Sequence, residues 1–183
     1  MTHHALLLID IQNDYFPGGA FPLDNIEAAT GNAVRLLEAA RKQGDLVVHV
    51  RHEFTSAEAP FFRPGSEGAQ IQAQVLPLPG EAIILKHYVN AFRETGLKAL
   101  LDEAGVRTVT IAGAMSQMCV EGATRAAADF GYDVTVVHDA VATRAFEFNG
   151  VTVSAAKVHA SAMAALAFAY ATLKSTDEAV AGA

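Results

Sequence analysis

Cys119 is the only cysteine in 183 residues, and it stands where the apolar run "RTVTIAGA" (107–114) gives way to an Ala-rich helical pattern. A thiol at a helix N-terminus beside a lysine is held as thiolate by two positive fields, with pKa values of roughly 3.5–7.5 in such settings. The chemistry within its reach is attack on an acyl carbon, with a nearby carboxylate to carry the proton. Asp10, in "ALLLIDI" (5–11), is the candidate carboxylate, and Lys86, closing "AIILK" (82–86), the candidate cation. The stretch "AGAMSQ" (112–117) supplies small residues and a turn, so backbone N–H groups would converge where an oxyanion could form. Taken singly, each residue has a plainer reading. A free cysteine often serves as a small buried hydrophobe, Asp10 is a polar stop after a strand, and Lys86 lays its stem over apolar neighbours. The three at corresponding strand ends carry the catalytic reading together.

Strands and helices must alternate to bring those ends to one edge. After 5–11 comes a helix over 25–44 with Ile26, Ala29, Ala33, Leu36, Leu37 and Ala40 at helical spacing, stopped by Gly44. Strand patterns follow at 45–51, 82–86, 107–114 and 133–139, and helical ones at 95–105, 117–130 and 154–174. Several strands are continuously apolar, which implies burial on both faces and a mainly parallel sheet. The expectation is a single three-layer α/β/α domain over 1–183, doubly wound and Rossmann-like, with 175–183 as a frayed tail. In such sheets ligands sit beyond the carboxyl ends of the strands. Parallel neighbours are roughly 4.8 Å apart, so Lys86 must lie one or two strands from Asp10. An order 2-1-3-4-5, with "AIILK" directly beside the first strand, is expected. Residues 52–81, with four of the six prolines, form a long connection that reads as a functional loop.

Composition removes several function classes. With 51% hydrophobic and 18% charged residues the chain can fill one large core, and a net charge of −7 without a basic cluster opposes nucleic acid. No stretch approaches the roughly 20 apolar residues of a membrane span, and "MTHHALLLIDIQ" lacks the basic start of a cleavable signal. A lone cysteine makes no intrachain disulfide. These features point to the cytoplasm, a small-molecule substrate and no membrane partner.

The segments "LLLIDIQNDYF", "IILKHYVNAF" and "AGAMSQMCVEGATRAAADFGYDVTVVHDAVAT" resemble, in order and spacing, the signature segments of the isochorismatase-like cysteine hydrolases. The resemblance implies a catalytic triad of Asp10, Lys86 and Cys119. It also implies a cis peptide between Ala114 and Met115 that turns the N–H groups of Met115 and Cys119 toward one oxyanion. Metal-dependent nicotinamidases in the family carry Asp-x-His after the second strand; here "VRHEF" places His52 and Phe54 there, so neither metal nor other cofactor is expected. His49 and His52, three apart on a strand, point to opposite faces. His52, Tyr88 and Phe16 are candidate substrate contacts, and a homo-oligomer, dimer or tetramer, is expected. His159, on an Ala-rich helix, reads as packed or interfacial. The final segment is similar to the streptothricin hydrolase-like branch, and the presence of the thiol favours C–N hydrolysis. Two alternatives stand beside it: vinyl ether cleavage with Asp10 as acid, and a non-catalytic binding or receiver-like signalling module. A receiver needs a second carboxylate ending a central strand, yet later strands end in Arg51, Lys86 and Gly113.

Overall fold

The computed structural model describes residues 3–181, and in it the unbroken apolar run before Asp10 becomes the buried strand β1 (His4–Ile9). There follow α1 (Ile26–Gln43), β2 (Leu46–His52), β3 (Ala82–Lys86), α2 (Leu97–Glu103), β4 (Thr108–Ala114), α3 (Glu121–Asp129) and β5 (Asp133–Ala142). A short hairpin β6 (Phe146–Phe148) and β7 (Val151–Val153), then α4 (Ala155–Ala169), β8 (Thr172–Lys174) and α5 (Thr176–Ala181) complete the chain. The main sheet has the order β3-β2-β1-β4-β5-β8, and every neighbouring pair in it is parallel.

Alternation along β1 divides the core into two layers. Ala5, Leu7 and Ile9 pack with Leu97 and Leu101 of α2, Ala123 and Ala127 of α3, and Met163 and Leu166 of α4. Leu6 and Leu8 face Ile26, Ala33, Leu36 and Leu37 of α1. Helix α1 ends where Gly44 takes φ +73° and the N–H of Asp45 turns back to Ala40 O at 3.0 Å. At Gly113 the register of β4 against β5 shifts, and φ is +126°; a Cβ there would lie 2.0 Å from Ile9 O.

Three expectations are corrected. β3 is not beside β1: β2 lies between them, and β3 is an edge strand whose Ile83 and Leu85 face outward. Two strand spacings, about 10 Å, separate β3 from β1, a gap that a side chain as long as lysine can bridge. The last long helix stops at Ala169, and residues 172–174 pair with Thr135–Val137 as the opposite edge. Residues 176–181 are helical instead of frayed, because Asp139 Oδ1 accepts from Thr176 N and Oγ1 at 2.8 and 2.7 Å while Ala179 and Val180 pack on the α1 layer. Residues 182 and 183 of the expected tail lie outside the described residues. The hairpin was not foreseen, although Asn149-Gly150, both at positive φ, is a strong two-residue turn signal. Among the described residues no helix is long and apolar enough to cross a membrane.

Candidate active site

Asp10 ends β1 in the left-handed region, at φ +51°, with its N–H donating to Val50 O at 2.9 Å. Such a backbone is uncommon for a residue other than glycine and is tolerated by Asp better than by most. Its carboxylate is fully buried and pairs through Oδ2 with Lys86 Nζ at 2.8 Å. The lysine reaches it from the end of β3, which is held to the end of β2 by Glu53 N donating to Lys86 O at 3.1 Å. Lys86 Nζ also meets His52 Nδ1 at 2.8 Å, Tyr88 O at 3.2 Å and Cys119 Sγ at 3.3 Å. Four acceptors thus share three N–H bonds of one ammonium.

Cys119 lies in a turn over Ser116–Val120, between β4 and α3. The turn is wider than an α-turn and closes when the N–H groups of Met118 and Val120 donate to Met115 O at 3.1 and 3.2 Å. The peptide between Ala114 and Met115 is cis. Asp10, Lys86 and Cys119 are therefore gathered in one buried cluster from three strand ends.

The electrostatics correct one expectation. Burial, the largest influence, pushes the Cys119 thiol well above the ordinary cysteine range; the Asp10 charge pushes the same way, and Lys86 only partly opposes them. The free thiol is therefore protonated at neutral pH, not held as thiolate. For Lys86, burial is again the largest influence and disfavours the ammonium, but the Asp10 charge and the hydrogen bonds to Asp10 and the Cys119 sulfur outweigh it and raise the pKa. His52 is lowered to about 4 by burial and by the Lys86 charge, so its ring is neutral. Since Lys86 is donor only, His52 Nδ1 must accept and the ring proton sits on Nε2. That Nε2 is buried and has no hydrogen-bond partner in the protein.

The other expected contacts are divided. Tyr88 is half-buried, with the Arg93 guanidinium 3.7 Å from its ring centre. Phe16 is buried in the α1 layer and lines an open hollow with Pro17, Glu67 and Gln72, whose lining includes none of the three clustered residues. His87, which follows the lysine directly, turns back to Glu53 O at 2.7 Å. His49 points to the opposite side from His52 and meets Glu81 at 2.9 Å. Asp10, His52 and Cys119 do offer ligand atoms within 4.8 Å of one another. Lys86 Nζ already touches all three, so a cation of the chain's own stands among them.

Sequence reasoning missed the supports. Gln12 is fully buried and clamps the edge of the site, donating to His52 O and Ala69 O at 2.8 Å and accepting from His52 N at 2.8 Å. Asp14 accepts from Phe62 N at 2.7 Å and Ala20 N at 3.1 Å, and so fastens the 52–81 connection. A Cβ on Gly68 would fall 2.1 Å from Asp14 Oδ1. An aromatic wall follows: Tyr15 stands 4.6 Å from Phe62, Phe61 stacks on Phe21 at 4.3 Å, and Phe54 meets the His52 ring edge-on at 4.6 Å. Burial chiefly, then the neighbouring Cys119 and Asp10, push the Tyr15 phenol up. The paired Phe61-Phe62 inside a proline-rich stretch was the available signal.

An isochorismatase domain matches residues 4–176. The isochorismatase family protein YddQ of Bacillus subtilis (strain 168) is 44% identical over 173 residues, covering 94% of this chain and 96% of its own. A streptothricin hydrolase of Streptomyces noursei is 36% identical, over 76% of this chain and 49% of its own length, and a maleamate amidohydrolase of Pseudomonas putida is 32% identical over 76% and 72%. The crystal structure of an isochorismatase from Pseudomonas putida KT2440 superposes with a TM-score of 0.90 at 36% identity, covering 96% of this chain and 89% of that one. A domain match over almost the whole length, relatives of these identities and a close superposition of fold lead to one assignment: the chain belongs to the isochorismatase family of hydrolases.

Proposed function

We propose that this hydrolase cleaves the C–N bond of a small amide through a thioester on Cys119. The observation that carries the reading is the single ammonium of Lys86 held against both Asp10 Oδ2 and Cys119 Sγ, at 2.8 and 3.3 Å, in a buried cluster. Because the thiol rests protonated, the Asp10 carboxylate must take its proton as Sγ attacks the carbonyl carbon. The tetrahedral oxyanion is placed on the N–H groups of Met115 and Cys119. Asp10 returns the proton to the departing amine, then accepts one from the water that opens the thioester, and releases it to the sulfur as the acid leaves. Lys86 positions both groups and balances their charge. The His52 Nε2–H, neutral and unpartnered, is offered to a substrate acceptor, and Tyr88 lines the approach. Amide substrates are further supported by the names of two relatives, a streptothricin hydrolase and a maleamate amidohydrolase.

No metal takes part in this mechanism. Phe54 stands where the resemblance places the second metal ligand, and Lys86 fills the centre of the one ligating cluster found among the described residues. The proposal extends to a cytoplasmic homo-oligomer. A catalytic thiol without a disulfide partner suits a reducing compartment, and the outward apolar residues Phe148, Val151 and Phe168 suit burial against a second copy.

The test is a panel of small amides, imides and carbamates with isochorismate included. Cys119→Ala and Asp10→Asn should each lower turnover of the best amide at least about 10³-fold with the fold retained, and dialysis against a strong chelator should leave the wild type active. Full activity in either variant ends the amide reading; loss in Asp10→Asn alone, with isochorismate as substrate, establishes vinyl ether cleavage instead. Activity that vanishes on chelation and returns with one metal would overturn the metal-free mechanism.

A further inference from the structure

The turn that carries Cys119 is anchored from outside itself. Ser116, its first residue, is fully buried, yet its hydroxyl bonds nothing within the turn: Oγ lies 2.8 Å from His159 Nδ1 on α4 and 3.4 Å from Ala142 O at the end of β5. The next side chain is held there too, Gln117 Oε1 accepting from Thr143 Oγ1 at 2.8 Å. His159 is not core filling. It is half-buried and lines an open cleft of about 470 Å³ with His138, Asp24 and Asn32, so its bond to Ser116 is its principal tie to the protein interior. Burial first, then His138, lowers its pKa, which keeps the ring neutral, and Nδ1 shares one hydrogen bond with the serine hydroxyl in either tautomer.

We propose that His159 is a positioning residue, which acts through the Ser116 hydroxyl to fix the first half of the turn and thereby the place of the Cys119 sulfur and N–H. The inference rests on Cys119 being the nucleophile. A displacement of about 1 Å at a reacting group is enough to cost about 10²-fold in rate, so the loss of one anchor three residues away is measurable.

Cys119 is the only cysteine, so its alkylation by iodoacetamide can be followed as a change in whole-protein mass. His159→Leu keeps comparable bulk without the hydrogen bond, and Ser116→Ala removes the same bond from the other side. Each should slow alkylation at neutral pH at least about fivefold, and the double variant should be no slower than the slower single one, because one path is broken twice. His159→Asn, whose amide falls where Nδ1 stood, should recover most of the lost rate, which a merely structural role for the ring would not produce. Wild-type alkylation rates in both single variants, additive losses, or no recovery in His159→Asn would overturn the proposal; if His159→Leu does not fold, Ser116→Ala carries the test. Turnover of the amide panel is read separately. The expected pattern of slowed and recovered alkylation without any amide turnover by the wild type sinks the amide reading alone, whereas intact turnover with unchanged alkylation in the variants sinks this inference alone.

Discussion

One ammonium stands against an aspartate, a thiol and an imidazole. His52 shows the cost most directly. In the unfolded chain it titrates near 6.5, and in the fold at about 4, because burial and Lys86 disfavour the imidazolium. Its contribution to stability is therefore complete above about pH 6.5 and is lost as the pH falls from there toward 4. The melting temperature is expected to drop across that window, and less steeply in His52→Asn, which keeps an acceptor for Lys86 but has nothing to titrate. His49 and His159 are lowered as well and act in the same direction, so the slope should shrink without disappearing. An unchanged slope would remove His52 from the account. That Asp10, Lys86 and Cys119 would meet was legible in the sequence because strand ends and a turn can be read from apolar runs. The protonation state of Cys119 was not, since it depends on burial and on an aspartate brought from 109 positions away.

Elements carry the next layer of constraint. β4 can approach β1 at Gly113 only without a Cβ, so Gly113→Ala is expected to destabilise the protein by at least about 2 kcal/mol, read as a shift of the urea midpoint. A midpoint within error of the wild type would mean that Ile9 moves aside freely. Asp14→Ala strips the acceptor from Phe62 N and Ala20 N, two N–H groups worth about 1–3 kcal/mol each if left unpaired. It should loosen the 52–81 connection first, seen as faster limited proteolysis between residues 55 and 80 with the rest of the chain protected. The parallel sheet and its helices followed from strand composition, but two placements did not. That β2 intervenes between β1 and β3 is a matter of pairing, which apolar content leaves open, and the edge position of β3 is visible only in hindsight, in the alternating exposure of Ile83 and Leu85. The short β8 was hidden because "TLK" directly follows a helical pattern with no breaker between them.

On the scale of the molecule the surface is uneven. Phe168 is 92% exposed and Phe148 77%, on a helix and a hairpin close in sequence, and α4 carries Lys157 as its only charge. Large aromatic side chains left in water on a protein of net charge −7 are expected to meet a second copy. Light scattering on the eluting protein should give a multiple of the 19.3 kDa chain mass, with Phe168→Glu or Phe148→Glu reducing it; a monomeric wild type would refute the oligomer. The origin of the three clustered groups has a separate consequence. Asp10 ends a central strand, Lys86 an edge strand joined to it only through β2, and Cys119 follows a strand on the other side. No hairpin or local fragment contains two of them, and parallel pairing over such distances along the chain is among the slower steps a protein makes. On the mechanism proposed above, a growing polypeptide on the ribosome therefore holds Cys119 without its partners until the fourth strand has docked, and the ability to hydrolyse arrives all at once with the finished sheet.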